Sequence, residues 1–132
     1  MFFLGKKPKP PAAAATTRAR GQAAEDQALA YLQAQGLRLL ARNYRTPGRG
    51  GGEIDLILQD RDGTVVFVEV RSRTSADFGG AGASIGAVKR QRIIAAAQHW
   101  LQQRRCTVAC RLDAVLIDGD HLQWLRGAFD AA

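Results

Sequence analysis

Sulfur and imidazole are scarce in this chain: 132 residues include two cysteines, one methionine and two histidines. That scarcity removes several kinds of chemistry at once. Cys106 and Cys110 lie close together in a stretch leading into a strand, where a disulfide is open but unforced. With no second Cys/His pair at ligand spacing, no zinc site is read. The ordinary expectation is two small free thiols, buried or half-buried. His99 falls on a helix and His121 at a turn, with no Ser or Cys nucleophile pattern beside either, so both are assigned structural or surface roles. No apolar run approaches the ~20 residues that span a bilayer. Met1-Phe2-Phe3-Leu4 is too short for the apolar core of a secretion signal, and the basic residues follow it instead of preceding it. A cytoplasmic protein with no membrane partner is expected.

Lysine is scarce too. Arginines outnumber lysines 15 to 4, and Lys6, Lys7 and Lys9 all lie in the first nine residues, leaving Lys89 as the sole lysine of the remainder. Residues 1–20 carry five basic groups and no acid, so the net charge of +7 falls to +2 for everything after them. The high pI therefore overstates how basic the folded part is, and argues only weakly for a nucleic-acid partner. Residues 1–17, Pro-rich and then Ala-rich, are expected to be a disordered basic tail, either adding loose nucleic-acid affinity or merely solubilising. Residues 18–132 form one domain, long enough for a single core without disulfides or structural metal.

What is present is a hairpin with acids on one face. Ile54–Leu58 and Thr64–Val70 flank the turn cluster Asp60-Arg61-Asp62-Gly63. A three-residue loop with Gly63 in the left-handed position of a G1 bulge pairs Asp60 with Thr64. Ile57 then faces Phe67, Asp55 faces Glu69 and Glu53 faces Arg71. By alternation, Ile54, Leu56, Leu58, Val66, Val68 and Val70 share one face, and Glu53, Asp55, Ile57, Phe67, Glu69 and Arg71 the other. Directly opposed carboxylates destabilise a hairpin by ~0.2–1 kcal/mol. A cation between Asp55 and Glu69 would explain their placement.

Around the hairpin, a helix is expected from about Arg20 to Gln35, stopping at Gly36, with Ala24, Ala28, Tyr31 and Leu32 inward. Glu25 lies at the border of that stripe; an acid there also complements the helix dipole. Leu37–Tyr44 reads as a strand. Thr46–Gly52 is a Gly-rich loop that lacks the phosphate-loop pattern and whose glycines permit close approach to the acidic face. A second helix, about Ile85–Arg104 with Ser84 as N-cap, turns Ile93, Ala97, Trp100 and Leu101 inward. Four residues before Ile93 on that ridge stands Lys89, either snorkelling outward or pointing at the acidic face. Arg111–Ile117 reads as a central strand, and His121–Leu125 as a short edge strand after a turn at Asp118-Gly119-Asp120.

The expectation is a mixed α+β domain, a small sheet flanked by helices in the order α-β-β-β-α-β. Asp55, Glu69 and Glu25, carried by separate elements, are oxygen donors suited to Mg²⁺ or Mn²⁺. Such a cation would polarise a phosphoryl oxygen and activate water, so phosphodiester hydrolysis is the implied reaction.

The stretches GQAAEDQALAYL, ARNYR, GEIDLI, VFVEVRSR, Lys89 and RLDAV together resemble the YraN family. That family looks like distant kin of Holliday-junction resolvases within the restriction-endonuclease-like superfamily. The resemblance covers about four fifths of the chain and implies a nuclease site of Asp55, Glu69 and the residue two beyond Glu69, with Glu25 from the first helix. It implies DNA, or RNA, as partner and leaves a homodimer open, since junction-cutting relatives act as two-fold dimers. The superfamily pattern places lysine two residues after the glutamate, where this chain has Arg71. A guanidinium stays protonated and is no general base; it can still stabilise phosphate charge, or pair with Glu53. Lys89 is the candidate substitute. The alternatives are a nucleic-acid-binding module without turnover on a decayed nuclease fold, and a protein-interaction domain.

Overall fold

The computed structural model describes residues 17–48, 51–72, 86–105 and 107–129, with side chains from 21 to 128. Ser84, Cys106, most of the tail and most of the loop after the hairpin lie outside the described residues. Helix α1 (Thr17–Ala34) buries Ala24, Ala28 and Leu32, one row at i, i+4, i+8. It ends as its glycine suggested. Gly36 takes φ +101°, its N–H reaching the Gln33 carbonyl at 3.0 Å while Leu37 N–H reaches Leu32 O at 3.1 Å. Those paired bonds are a Schellman closure, and Leu37 packs in the same cluster as Leu32.

Five strands form one sheet in chain order: β1 (Arg38–Arg45), β2 (Glu53–Gln59), β3 (Val65–Ser72), β4 (Cys110–Asp118) and β5 (His121–Phe129). All neighbours are antiparallel except β3 and β4, which are parallel. Helix α2 (Ala87–Gln103) supplies the crossover that a parallel pair requires. Its N-cap residue is Gly86, which makes no side-chain capping bond. The expected α-β-β-β-α-β order is found, followed by a fifth strand longer than the Leu125 end read from the sequence. Gly127 has φ +60° and continues β5 beside an irregularity in the β4–β5 register between Leu112 and Ala114.

The hairpin closes as expected. Asp60 N–H donates to Thr64 O at 2.9 Å and Gly63 N–H to Asp60 O at 3.0 Å, with Gly63 at φ +92°. Ile57 pairs with Phe67 and Leu56 with Val68. The sheet then separates two cores. Under α1 lie Leu56, Leu58, Val66, Val68, Val115 and Ile117; under α2 lie Ile57, Val65, Phe67, Leu112 and Ala114 with Ile93, Ala96, Ala97 and Trp100. Ile54 departs from the expected alternation, packing with the α2 group. Its displacement has a local cause. In the register set by Asp60 and Thr64, Ile54 and Val70 should exchange backbone bonds, but Val70 N–H donates to Asp55 Oδ2 at 2.8 Å. Regular pairing stops at Leu56–Val68, and the strand turns where Asp55 takes over as acceptor.

Among the described residues, Asp113 is the most deeply buried acid, with no exposed surface. Its carboxylate accepts from Trp124 Nε1 at 2.8 Å, Gly127 N–H at 2.9 Å and Arg111 Nε at 3.1 Å. Arg111 also reaches Asp60 Oδ2 at 3.3 Å. The network ties the hairpin turn to β4 and β5, so Asp113 is structural. Cys110 is a free thiol at the start of β4 and is exposed, not buried. His99 is half-buried with Nδ1 2.5 Å from Tyr44 Oη, and His121 is exposed at the β4–β5 turn.

Candidate active site

Where the β2–β3 ladder ends, the two acids of the hairpin come together. Asp55 and Glu69 both line a cleft of about 720 Å³ between the end of the sheet, the loop residues Thr46, Gly48, Gly51 and Gly52, and the first turns of α2. Their carboxyls are close enough to share a hydrogen bond, and burial pushes Asp55 up from 3.8 to about 8. Desolvation is the larger cause and the Glu69 charge the second. The Val70 N–H bond pulls the other way, and the more distant Glu25 charge adds a smaller upward push. Two buried acids with too little positive charge between them describe this geometry.

Lys89 is the cation the structure does provide. Its Nζ lies 2.5 Å from Glu69 Oε2, with the glutamate side chain 4% exposed and the lysine 46%. The ridge Lys89, Ile93, Ala97, Trp100 faces the sheet, so a lysine one turn before Ile93 lands over β3. Of the two orientations open in the sequence, the structure shows the inward one. Arg71 lies two residues beyond Glu69 on β3, half-buried, at the level of Leu116 in β4. Glu53 forms an ion pair with Arg45, its partner across β1–β2, at 3.5 Å.

Glu25 approaches from the other side of the sheet end. Its Oε1 accepts from Asn43 Nδ2 at 2.9 Å and lies 3.5 Å from Arg42 Nε. Among the described residues, no three or more His, Cys, Asp or Glu side chains are arranged to hold a metal ion. The expected three-carboxylate cage is thus not preformed. Asp55 and Glu69 fit a hard divalent cation as a two-carboxylate site: both are oxygen donors, they crowd like charges in a desolvated corner, and Mg²⁺ commonly completes its shell with water and phosphate. Glu25 would act from outside that pair.

Of the cleft walls, the sequence indicated the Gly-rich loop but not Arg45 or the Arg92 turn of α2. Thr46 closes its loop by accepting from Gly52 N–H on Oγ1 at 2.8 Å and donating its own N–H to Gly52 O at 3.0 Å. Gly52 lies so close to α2 that a Cβ there would stand 2.1 Å from the Arg92 carbonyl oxygen. Arg45 and Arg92 line the same cleft as the carboxylates. Gly51-Gly52 was the available signal for close approach; its contact on α2 was not visible.

These features define a small mixed α+β domain whose sheet end presents an acid pair and a lysine in one open cleft, with two helices flanking a five-stranded sheet. The chain belongs to the Uncharacterised protein family UPF0102, the YraN family of the sequence resemblance, whose profile matches residues 24–117. A UPF0102 protein of Acidovorax sp. (strain JS42) is 67% identical over 132 residues, covering all of both chains. Another, of Paracidovorax citrulli (strain AAC00-1), is 68% identical over 134 residues and 99% of each chain. A third, of Verminephrobacter eiseniae (strain EF01-2), is 58% identical over 98% of this chain and 96% of its own. Among solved structures, the one titled "Crystal structure of SSO0001" aligns with a TM-score of 0.45 at 13% identity, covering 89% of this chain and 55% of that one. No described helix is long and apolar enough to cross a membrane.

Proposed function

We propose that the cleft is a nuclease site that binds DNA, branched or junction DNA included, and hydrolyses a phosphodiester with Mg²⁺ or Mn²⁺ held by Asp55 and Glu69. The observation that carries this reading is Lys89 Nζ at 2.5 Å from Glu69 Oε2, in the cleft that Asp55 also lines. It brings a lysine to the acid pair although the position two residues beyond Glu69 is arginine. When bound, the cation supplies Lewis acidity toward a phosphoryl oxygen and lowers the pKa of a coordinated water. The chain's own residues supply the rest. Asp55 and Glu69 hold the oxygen ligand set, desolvated on the sheet side so that added positive charge is strongly favoured. Lys89 stands where it can meet the phosphate and stabilise charge as the water oxygen bonds to phosphorus and the P–O bond to the leaving sugar oxygen breaks. Arg71 contributes positive charge and does not take a proton. Arg45 and Arg92, lining the same cleft, fit neighbouring backbone phosphates, which bind arginine without regard to sequence.

The test is cleavage of end-labelled four-way junctions, flaps and plain duplex in Mn²⁺. The expected result is strand scission by the wild-type protein, lost with Asp55→Ala and Glu69→Ala and reduced ~10²-fold or more with Lys89→Ala, with a smaller loss for Arg71→Ala. Full activity in the Lys89→Ala protein would remove the lysine from the mechanism. No scission of any substrate by pure wild-type protein would overturn the enzymatic reading.

A further inference from the structure

We infer that Asn43 is a positioning residue that holds Glu25 beside the acid pair, and that its reversed backbone exists for that purpose. The inference deepens the nuclease reading, since it assigns how the third carboxylate reaches the site. It starts from the register. Arg42 pairs with Leu56 and Tyr44 with Ile54, so Asn43 stands opposite Asp55. Asn43 therefore lies at the sheet end where Asp55 leaves the ladder to line the cleft with Glu69.

Asn43 does not have a strand backbone. Its φ is +51°, and among the described residues only Arg105 shares that departure without being glycine. Left-handed φ is unfavourable for side-chain-bearing residues, and asparagine tolerates it best. The reversal sends the side chain toward α1, where Nδ2 donates to Glu25 Oε1 at 2.9 Å. Arg42 Nε lies 3.5 Å from the same oxygen but is not in hydrogen-bonding geometry. That guanidinium is committed elsewhere, with Nη2 2.5 Å from Asp26 Oδ1. The Asn43 amide makes the short directed bond to Glu25, whose side chain is 14% exposed, and Arg42 adds a looser ion pair to the same oxygen.

Residue chemistry makes asparagine the fitting choice. Glycine would take the backbone angle but offers no donor. Aspartate would take the angle and place a second acid against Glu25. Alanine would lose both advantages. The simpler account, that the bond only staples α1 to β1, leaves the reversed backbone unexplained, because Arg42–Asp26 already joins those elements. The weak upward push of Glu25 on Asp55 agrees with a carboxylate held within electrostatic reach of the pair.

The experiment is a Mn²⁺ titration by calorimetry on the full chain, with melting temperatures in parallel. Asn43→Gly keeps the backbone and removes the donor. It is expected to weaken Mn²⁺ binding about tenfold, as Glu25→Gln does, in the range for residues that orient metal ligands. The double variant should bind no more weakly than Glu25→Gln alone. Asp26→Asn removes the exposed Arg42 ion pair but leaves the Asn43 amide on Glu25, and should leave Mn²⁺ affinity within about twofold. Wild-type affinity in Asn43→Gly, or losses that multiply in the double variant, would overturn the inference. If the wild-type protein binds no Mn²⁺, the metal reading itself fails, and a crystal structure of Asn43→Gly decides the positioning role. A Glu25 carboxylate displaced from its place beside β1 supports it; one left in place contradicts it.

Discussion

Asp55 is the residue at which stability and function pull apart. Its unfolded carboxyl titrates near 3.8 and its folded carboxyl near 8, so between those values the native state keeps a proton that the unfolded chain releases. Stability then falls as pH rises through that window, by up to about 1.4 kcal/mol per unit, and the loss is complete above the folded value. Asparagine accepts from Val70 N–H equally well and cannot ionise. In EDTA, Asp55→Asn should match wild type near pH 4 and exceed it at pH 8.5 by at least ~1 kcal/mol, a few degrees in melting temperature. Thermal melts across that range check it; a variant less stable than wild type at pH 8.5 would mean that the carboxylate is not crowded. The acids themselves were legible because hairpin pairing is local: the turn sets the register and the register opposes Asp55 to Glu69. Lys89 was legible by helical period, though not its direction, which depends on how α2 sits on the sheet. Asn43 was not legible at all. A positive φ leaves no mark in ARNYR, and Glu25 lies 18 residues earlier.

Among the elements, the Thr46–Gly52 loop matters most for shaping the cleft. Thr46 ties its two ends together, and Gly52 lets the backbone rest on the Arg92 carbonyl of α2. A methyl group at 52 has to push loop and helix apart, at ~1–3 kcal/mol in a packed contact. Gly52→Ala is therefore expected to lower stability by that amount and to weaken Mn²⁺ binding through Lys89, which sits on the same first turns of α2. Denaturant melts and a Mn²⁺ titration measure both; an unchanged protein would show that the loop does not bear on the helix. The sequence indicated close approach here without its target, since a glycine run carries no information about a neighbour forty residues on. Ile54 shows the opposite limit. Strict alternation put it on the α1 face, and the side-chain bond from Asp55 to the Val70 N–H ended that alternation at the site.

Across the whole molecule, what was legible follows from contact range. The glycine end of α1, the hairpin loop and most of the two inward stripes came from patterns within about twenty residues; the N-cap of α2 is Gly86 and not Ser84, and Tyr31 stays 38% exposed at the edge of its stripe. The parallel β3–β4 pairing was not read from the sequence, since its partners lie some 45 residues apart and only the α2 crossover between them was visible. Nor was the length of β5, since it depends on Trp124 and Gly127 bonding the buried Asp113 on β4. The result is a scaffold that brings the hairpin acids and Lys89 of α2 into one cleft, with Glu25 of α1 on the other side of the same sheet end. On the reading proposed above, the cleft holds a divalent cation against phosphate. Crystals soaked in Mn²⁺, with anomalous scattering used to locate the ion, decide it. A peak ~2.0–2.6 Å from oxygens of both Asp55 and Glu69 is expected, absent in the Asp55→Ala protein. A cleft with no peak at saturating Mn²⁺, its acids still bonded to each other and to Lys89, would contradict it.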